Sequence, residues 1–293
     1  MGTALGASYA TATNKVVTAA NGVRYAYREV GAGTRPDATP LVLLQHFRGN
    51  LDNWDPALVD ALAANRRVVA FDNVGVGGSS GTTPDTVEQM ARDAIAFITA
   101  LGLSHVDVLG FSIGSFVAQE IALIRPALIH RLVLASSAPR GATGMHGWAP
   151  EVVAAVGRPE PDPAGYLDVF FSASPSSRAT GQEVMGRVFA RTFTSPEDAD
   201  VPASWATMQA QYDAVSDWGI PDHAALQRVS AINVPVFIAN GDSDPMILPH
   251  YSHLLAGLIP QATIKIYRDS AHGFLFQHHA EFAADTAAFL DAA

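Results

Sequence analysis

Cysteine is absent from the 293-residue chain. That excludes disulfides, a thiolate nucleophile and zinc–thiolate sites, although it does not fix the compartment. Lysine is nearly absent too: Lys15 and Lys265 are its two occurrences, and the formal net charge is −10. So acidic a surface repels phosphate backbones and anionic lipid, and neither nucleic acid nor membrane is expected as a partner. No uncharged apolar run approaches the roughly 18 residues that span a bilayer. Residues Met1–Asn14 are small and polar, without the basic start and apolar stretch of a secretion signal, and Gly6 stands where a myristoylation motif has Ser or Thr. The expectation is a cytoplasmic protein of undetermined oligomeric state.

What is present is apolar residue in quantity, 48% of the chain against 16% charged, enough for a large core in one domain with an insertion. Residues 1–13 read as a flexible tail. Lys15–Ala19 and Val23–Val30 read as strands joined at Asn21-Gly22, a pair suited to a tight hairpin turn. Leu41–Leu44, Arg67–Phe71, Val106–Leu109, Leu132–Ala135, Val234–Ile238 and Thr263–Tyr267 are short apolar runs typical of strands covered on both faces. Helices are expected from Pro84, capped by Thr83, to about Leu101, over Ile113–Ile124 and over Glu281–Leu290. Strands alternating with helices predict an α/β fold with a mostly parallel, eight-stranded sheet between helical layers. The rhythm breaks over 139–222, too long for a plain loop and read as an inserted helical subdomain between core segments 14–138 and 223–293.

Gly110-Phe-Ser-Ile-Gly114 matches the Gly-x-Ser-x-Gly pattern of a serine raised on a sharp strand-to-helix turn, where small neighbours let the backbone bend and substrate approach. Gly77-Gly-Ser-Ser-Gly81 matches as well, so the pattern alone decides nothing. Context separates them: Ser112 follows an apolar strand and opens an apolar helix, whereas Ser79 lies in a run of loop residues. The bland alternative for Ser112 is a small residue in a tight turn. A serine nucleophile needs a base, and histidine, which titrates near neutral pH, suits the task. Among ten histidines, His272 in Ser270-Ala-His-Gly-Phe274 sits between the last strand and the last helix with small neighbours. His250 and His253 have helical spacing but no evident third ligand, so no metal is expected. Asn240-Gly-Asp-Ser-Asp-Pro245 offers Asp242 and Asp244 to orient the histidine, one for catalysis and the other for the turn.

These residues, in the order Ser, Asp, His, resemble the α/β-hydrolase family over about residues 15–137 and 220–292. The resemblance implies a triad of Ser112, Asp244 and His272, because the second aspartate of such a turn is the family's usual acid, with Asp242 in reserve. Gln45-His-Phe-Arg-Gly-Asn50 resembles the family's His-Gly-Phe-x-Gly-Ser loop, and the oxyanion donors it implies are the backbone N–H groups of Phe47 and Ile113. Gln45 and His46 depart from that loop's His-Gly, and His46 either projects toward the pocket or serves structure. Phe71-Asp-Asn-Val-Gly-Val-Gly-Gly-Ser79 resembles a second family loop of structural role. The inserted stretch corresponds to the family's variable lid, whose aromatic residues Trp148, Phe170, Phe171, Trp205 and Trp218 are pocket candidates or subdomain core. The implied activity is ester hydrolysis of a small to medium, largely apolar small-molecule substrate, without cofactor. Carbon–carbon bond hydrolysis, cofactor-free perhydrolysis and a non-catalytic ligand-binding role stand as alternatives.

Overall fold

The computed structural model describes residues 8–31, 35, 37–159, 162–191 and 199–292. Eight strands, β1 (Lys15–Thr18), β2 (Arg24–Val30), β3 (Leu41–Leu44), β4 (Val68–Phe71), β5 (Val106–Phe111), β6 (Ile129–Ala135), β7 (Val236–Gly241) and β8 (Ala262–Tyr267), form one sheet in the order β1-β2-β4-β3-β5-β6-β7-β8. The β1–β2 and β2–β4 pairings are antiparallel and the rest parallel. Composition explains the layout. The all-apolar β3 and β4 are buried at every position, as a parallel sheet covered on both faces requires, while edge strand β1 is largely exposed.

Chain order places the site. After β3 the chain steps to β4 on one side, then returns to lay β5 on the other, so β3 and β5 bound the point where the winding reverses. At such a point the loops leaving neighbouring strand ends diverge and open a crevice. With Leu44 paired to Gly110, the loop after β3 and the turn after β5 lie side by side at its rim.

The structure departs from the sequence expectation at the tail and at the helix expected from Pro84. Of the expected tail, residues 1–7 lie outside the described residues, but the chain is packed from Ser8 onward. Tyr9 is buried, donates its hydroxyl to the Leu51 carbonyl at 2.7 Å and carries the Arg28 guanidinium over its ring. One aromatic ring with a polar handle was enough to tie the segment down. The helix expected from Pro84 starts at Val87 with Thr86 as cap, because the Thr83 hydroxyl is engaged with Thr207 Oγ1 at 2.9 Å. Between β6 and β7 the described residues form helices Pro150–Val156, Pro163–Phe170, Pro175–Val188, Trp205–Trp218 and His223–Arg228. Among the described residues no helix is long and apolar enough to cross a membrane.

Candidate active site

Ser112 joins β5 to helix Ile113–Ile124 with φ 57° and ψ −125°, a conformation costly for any residue bearing a Cβ. Both flanking glycines are dictated by contact. A Cβ on Gly110 would lie 2.3 Å from the Gly114 carbonyl oxygen, and one on Gly114 would lie 2.2 Å from that of Leu44. Helix, β5 and β3 therefore close tightly around the serine and hold it up at the crevice. Ser79, from the competing motif, is used otherwise: its hydroxyl donates to the Asp72 carbonyl at 2.8 Å and accepts from Ala26 N–H at 2.9 Å, stapling a loop.

His272 and Asp244 arrive from the ends of β8 and β7. Asp244 is buried; its Oδ1 accepts the N–H groups of Met246 and Ile247, both at 2.9 Å, and its Oδ2 lies 2.8 Å from His272 Nδ1. An ionised carboxylate only accepts, so Nδ1 carries the hydrogen and Nε2 is left as the basic nitrogen. That Nε2 is buried and receives no hydrogen bond from any described group. Asp242, by contrast, is exposed and accepts from Asp269 and Ser270 N–H in the turn. The backbone of the histidine loop is also tied to the end of helix Pro163–Phe170: His272 N–H donates to Val169 O at 3.2 Å and Gly273 N–H to Phe170 O at 2.8 Å.

On the facing loop, Gln45 Oε1 accepts His46 N–H at 2.9 Å and Gln211 Oε1 accepts Arg48 N–H at 2.7 Å. Among the described residues no acceptor takes the Phe47 N–H between them, and that of Ile113, at a helix start, has no partner within its helix. The Cβ of His46 causes no strain, because the left-handed residue of this loop is Arg48, at φ 62°. Ser112, His272, His46 and Phe47 border one cavity of about 500 Å³.

Of the aromatic pocket candidates, Phe170 lines this cavity, whereas Trp148, Phe171, Trp205 and Trp218 do not. Trp148 packs against Phe47 and Tyr212, and Trp218 stacks on Phe116 and donates to Ala138 O. Phe171 is buried beside Gly181, and Trp205 is 44% exposed at its helix start. The wall is instead built by Tyr166, Phe189, Val201 and Met246.

The cavity also meets an acid pair. Buried Asp72 braces two loops by accepting Leu51 N–H at 2.8 Å and Gly78 N–H at 3.0 Å, and Asp200 crowds the same spot beside Gly77. Burial, and then the neighbouring Asp200 carboxyl, hold Asp72 well above the usual carboxylate range. A carboxyl whose folded pKa is raised contributes stability while protonated and loses it as pH rises through that pKa. Asp200→Asn is therefore expected to raise the melting temperature by about 2–4 °C at pH 8 and to give no gain at pH 4. Calorimetry showing equal gains at both pH values would contradict the repulsion between the two carboxyls.

Residues 39–279 match the model of the α/β-hydrolase fold. The chain belongs to this family. Over 98% of its length it superposes on an α/β-hydrolase fold protein from Chitinophaga pinensis, with 39% identity, complete coverage of that chain and a TM-score of 0.89. A non-heme chloroperoxidase of Streptomyces lividans is 26% identical over 289 residues, 94% of this chain and 98% of that protein. A protein of Azorhizobium caulinodans named as a candidate carbamate hydrolase is 26% identical over 85% of this chain and 88% of its own. A protein of the same name from Rhizobium rhizogenes is 36% identical, but the match spans 36% of this chain and 41% of that protein. Family and named relatives support hydrolase activity for this member of the α/β-hydrolase fold.

Proposed function

We propose that this α/β hydrolase is a serine esterase acting on small to medium, largely apolar substrates through Ser112, His272 and Asp244. The observation that carries the reading is the Asp244–His272 bond of 2.8 Å, which leaves Nε2 basic in the same cavity as a serine held at φ 57°. His272 Nε2 takes the Ser112 proton as Oγ attacks the ester carbonyl. The tetrahedral oxyanion is met by the Phe47 and Ile113 N–H groups, fixed before the charge forms and so requiring little reorganisation. Collapse passes the proton from His272 to the departing alkoxide; water then adds to the acyl-serine by the same route. The apolar wall of Tyr166, Phe170, Phe189 and Met246 fits an acyl or alcohol chain of modest length. The net charge of −10 fits a small-molecule partner better than nucleic acid or anionic lipid.

Labelling with a fluorophosphonate tests this reading. The expected result is one adduct, located on the Ser112 peptide by mass spectrometry, together with hydrolysis of p-nitrophenyl esters whose rate depends on acyl length. An adduct on another serine, or none while the esters are hydrolysed, would refute the assignment. The Streptomyces lividans relative named as a non-heme chloroperoxidase favours one second reading. In it hydrogen peroxide replaces water as acceptor of the acyl group and peracid is released, which an assay with added peroxide separates from hydrolysis.

A further inference from the structure

His46 is a polar residue of the cavity wall, beside the proposed triad, to which the proposed reaction gives no task. Its Nδ1 lies 2.8 Å from the Phe47 carbonyl oxygen. A carbonyl only accepts, so Nδ1 carries the hydrogen and Nε2 presents a lone pair. Burial keeps the ring neutral by pushing its pKa down to about 3. Nε2 is itself buried, and no described group donates to it. Buried polar atoms without partners are rare enough that each calls for a reason. Three other such atoms belong to residues of the same cavity wall: His272 Nε2 is the proposed base, Asp200 Oδ2 belongs to the acid pair with Asp72, and the Tyr166 hydroxyl, unlike His46 Nε2, carries a hydrogen and can donate as well as accept.

The ring is held in place. Its centroid lies 5.3 Å from those of Phe111 and Phe170, both edge-on, and the same two rings contact His272 at 5.0 and 5.4 Å. The two imidazoles thus share one aromatic wall beside Ser112. Phe170, at the end of helix Pro163–Phe170, supplies one side of that wall, and His46 itself lines the cavity. His46 stands where the resembled family loop has glycine, so this acceptor is a feature of the chain and not of the general reaction.

We propose that His46 Nε2 is a substrate-recognition acceptor, and that the preferred substrate is an ester carrying a hydroxyl or N–H group within a few bonds of the scissile carbonyl. The inference rests on the serine-esterase reading and adds the substrate class to it. A neutral, desolvated acceptor selects for a donor because an analogue without one leaves the nitrogen buried and unpaired.

Two matched pairs of esters test it. p-Nitrophenyl 3-hydroxybutyrate and butyrate differ by one hydroxyl on the acyl side, and 2-hydroxyethyl and ethyl butyrate by one on the alcohol side. In at least one pair the wild-type enzyme is expected to favour the hydroxylated ester in kcat/KM by about 10- to 100-fold. His46→Phe keeps an aromatic ring and removes Nε2, and the ratio is expected to collapse toward one; His46→Gln, which keeps an acceptor, restores part of it. Wild-type ratios near one in both pairs, or an unchanged ratio in His46→Phe, would overturn the proposal. If phenylalanine overpacks the site, His46→Leu supplies the same comparison. Calorimetric binding of the intact esters to Ser112→Ala reads the preference without turnover. Hydrolysis surviving in that variant would therefore sink the serine mechanism while leaving His46 to be judged on the ratios.

Discussion

Ser112→Ala is expected to lower ester kcat/KM by a factor on the order of 10⁴ or more, with the melting temperature unchanged within about 2 °C. The size follows from the division of labour. Without Oγ no acyl-enzyme forms, and what remains is attack by water aided by the oxyanion donors and by binding alone. The fold is spared because alanine meets the same penalty at φ 57° that serine already meets, and no described group depends on the Ser112 hydroxyl for a hydrogen bond. His272→Ala is expected to cost a similar factor, and the double variant little more than either single one, because base and nucleophile act as a unit. Burst and steady-state kinetics on a p-nitrophenyl ester measure all three. A Ser112→Ala enzyme with a tenth of wild-type activity would remove the serine from the mechanism.

The parts of this site legible in the sequence are those fixed by neighbours along the chain. The strand, elbow and helix from Val106 to Ile124 are contiguous, and the glycines at 110 and 114 report contacts that the turn itself creates. Ser112 and Ser79 could be told apart for the same reason: local pattern determines whether a strand enters and a helix leaves, as they do at Ser112. The cavity wall was not legible. Phe170 and Phe171 are adjacent, yet one lines the cavity and the other packs under Gly181, a choice made by how the inserted helices seat on the core. Tyr166, one turn before Phe170 and stacked on it at 3.9 Å, could have been found from that spacing once Phe170 was chosen. Met246 and Val201 carry no such signal; long-range packing alone puts them there. Asp200 beside Asp72 was equally hidden, since two carboxyls far apart in sequence meet only after the chain between them has folded.

Asp244→Asn should reduce kcat/KM on the order of 10³- to 10⁴-fold, whereas Asp242→Asn should change it by no more than about threefold. The two aspartates are two residues apart in one turn, and the hydrogen bonds around them set the difference. Asp244 Oδ1 is claimed by two backbone N–H groups and Oδ2 by His272 Nδ1–H, so all three neighbours are donors. An asparagine there keeps one acceptor and gains a donor. If its oxygen stays with Met246 and Ile247, its NH₂ faces Nδ1 and forces the imidazole hydrogen onto Nε2, which then cannot accept the serine proton. If it flips, the NH₂ confronts two backbone donors in a buried site, at a cost of about 1–3 kcal/mol in stability. Either arrangement is damaging, and the first damages catalysis selectively. Asp242 serves Asp269 and Ser270 N–H from an exposed position, and water can replace whatever asparagine fails to accept. Paired kinetics and melting curves for the two variants distinguish the roles. The larger kinetic loss falling on Asp242→Asn would reverse the assignment of the acid, and equal small losses in both would mean that His272 is oriented by its burial between Phe111 and Phe170 alone.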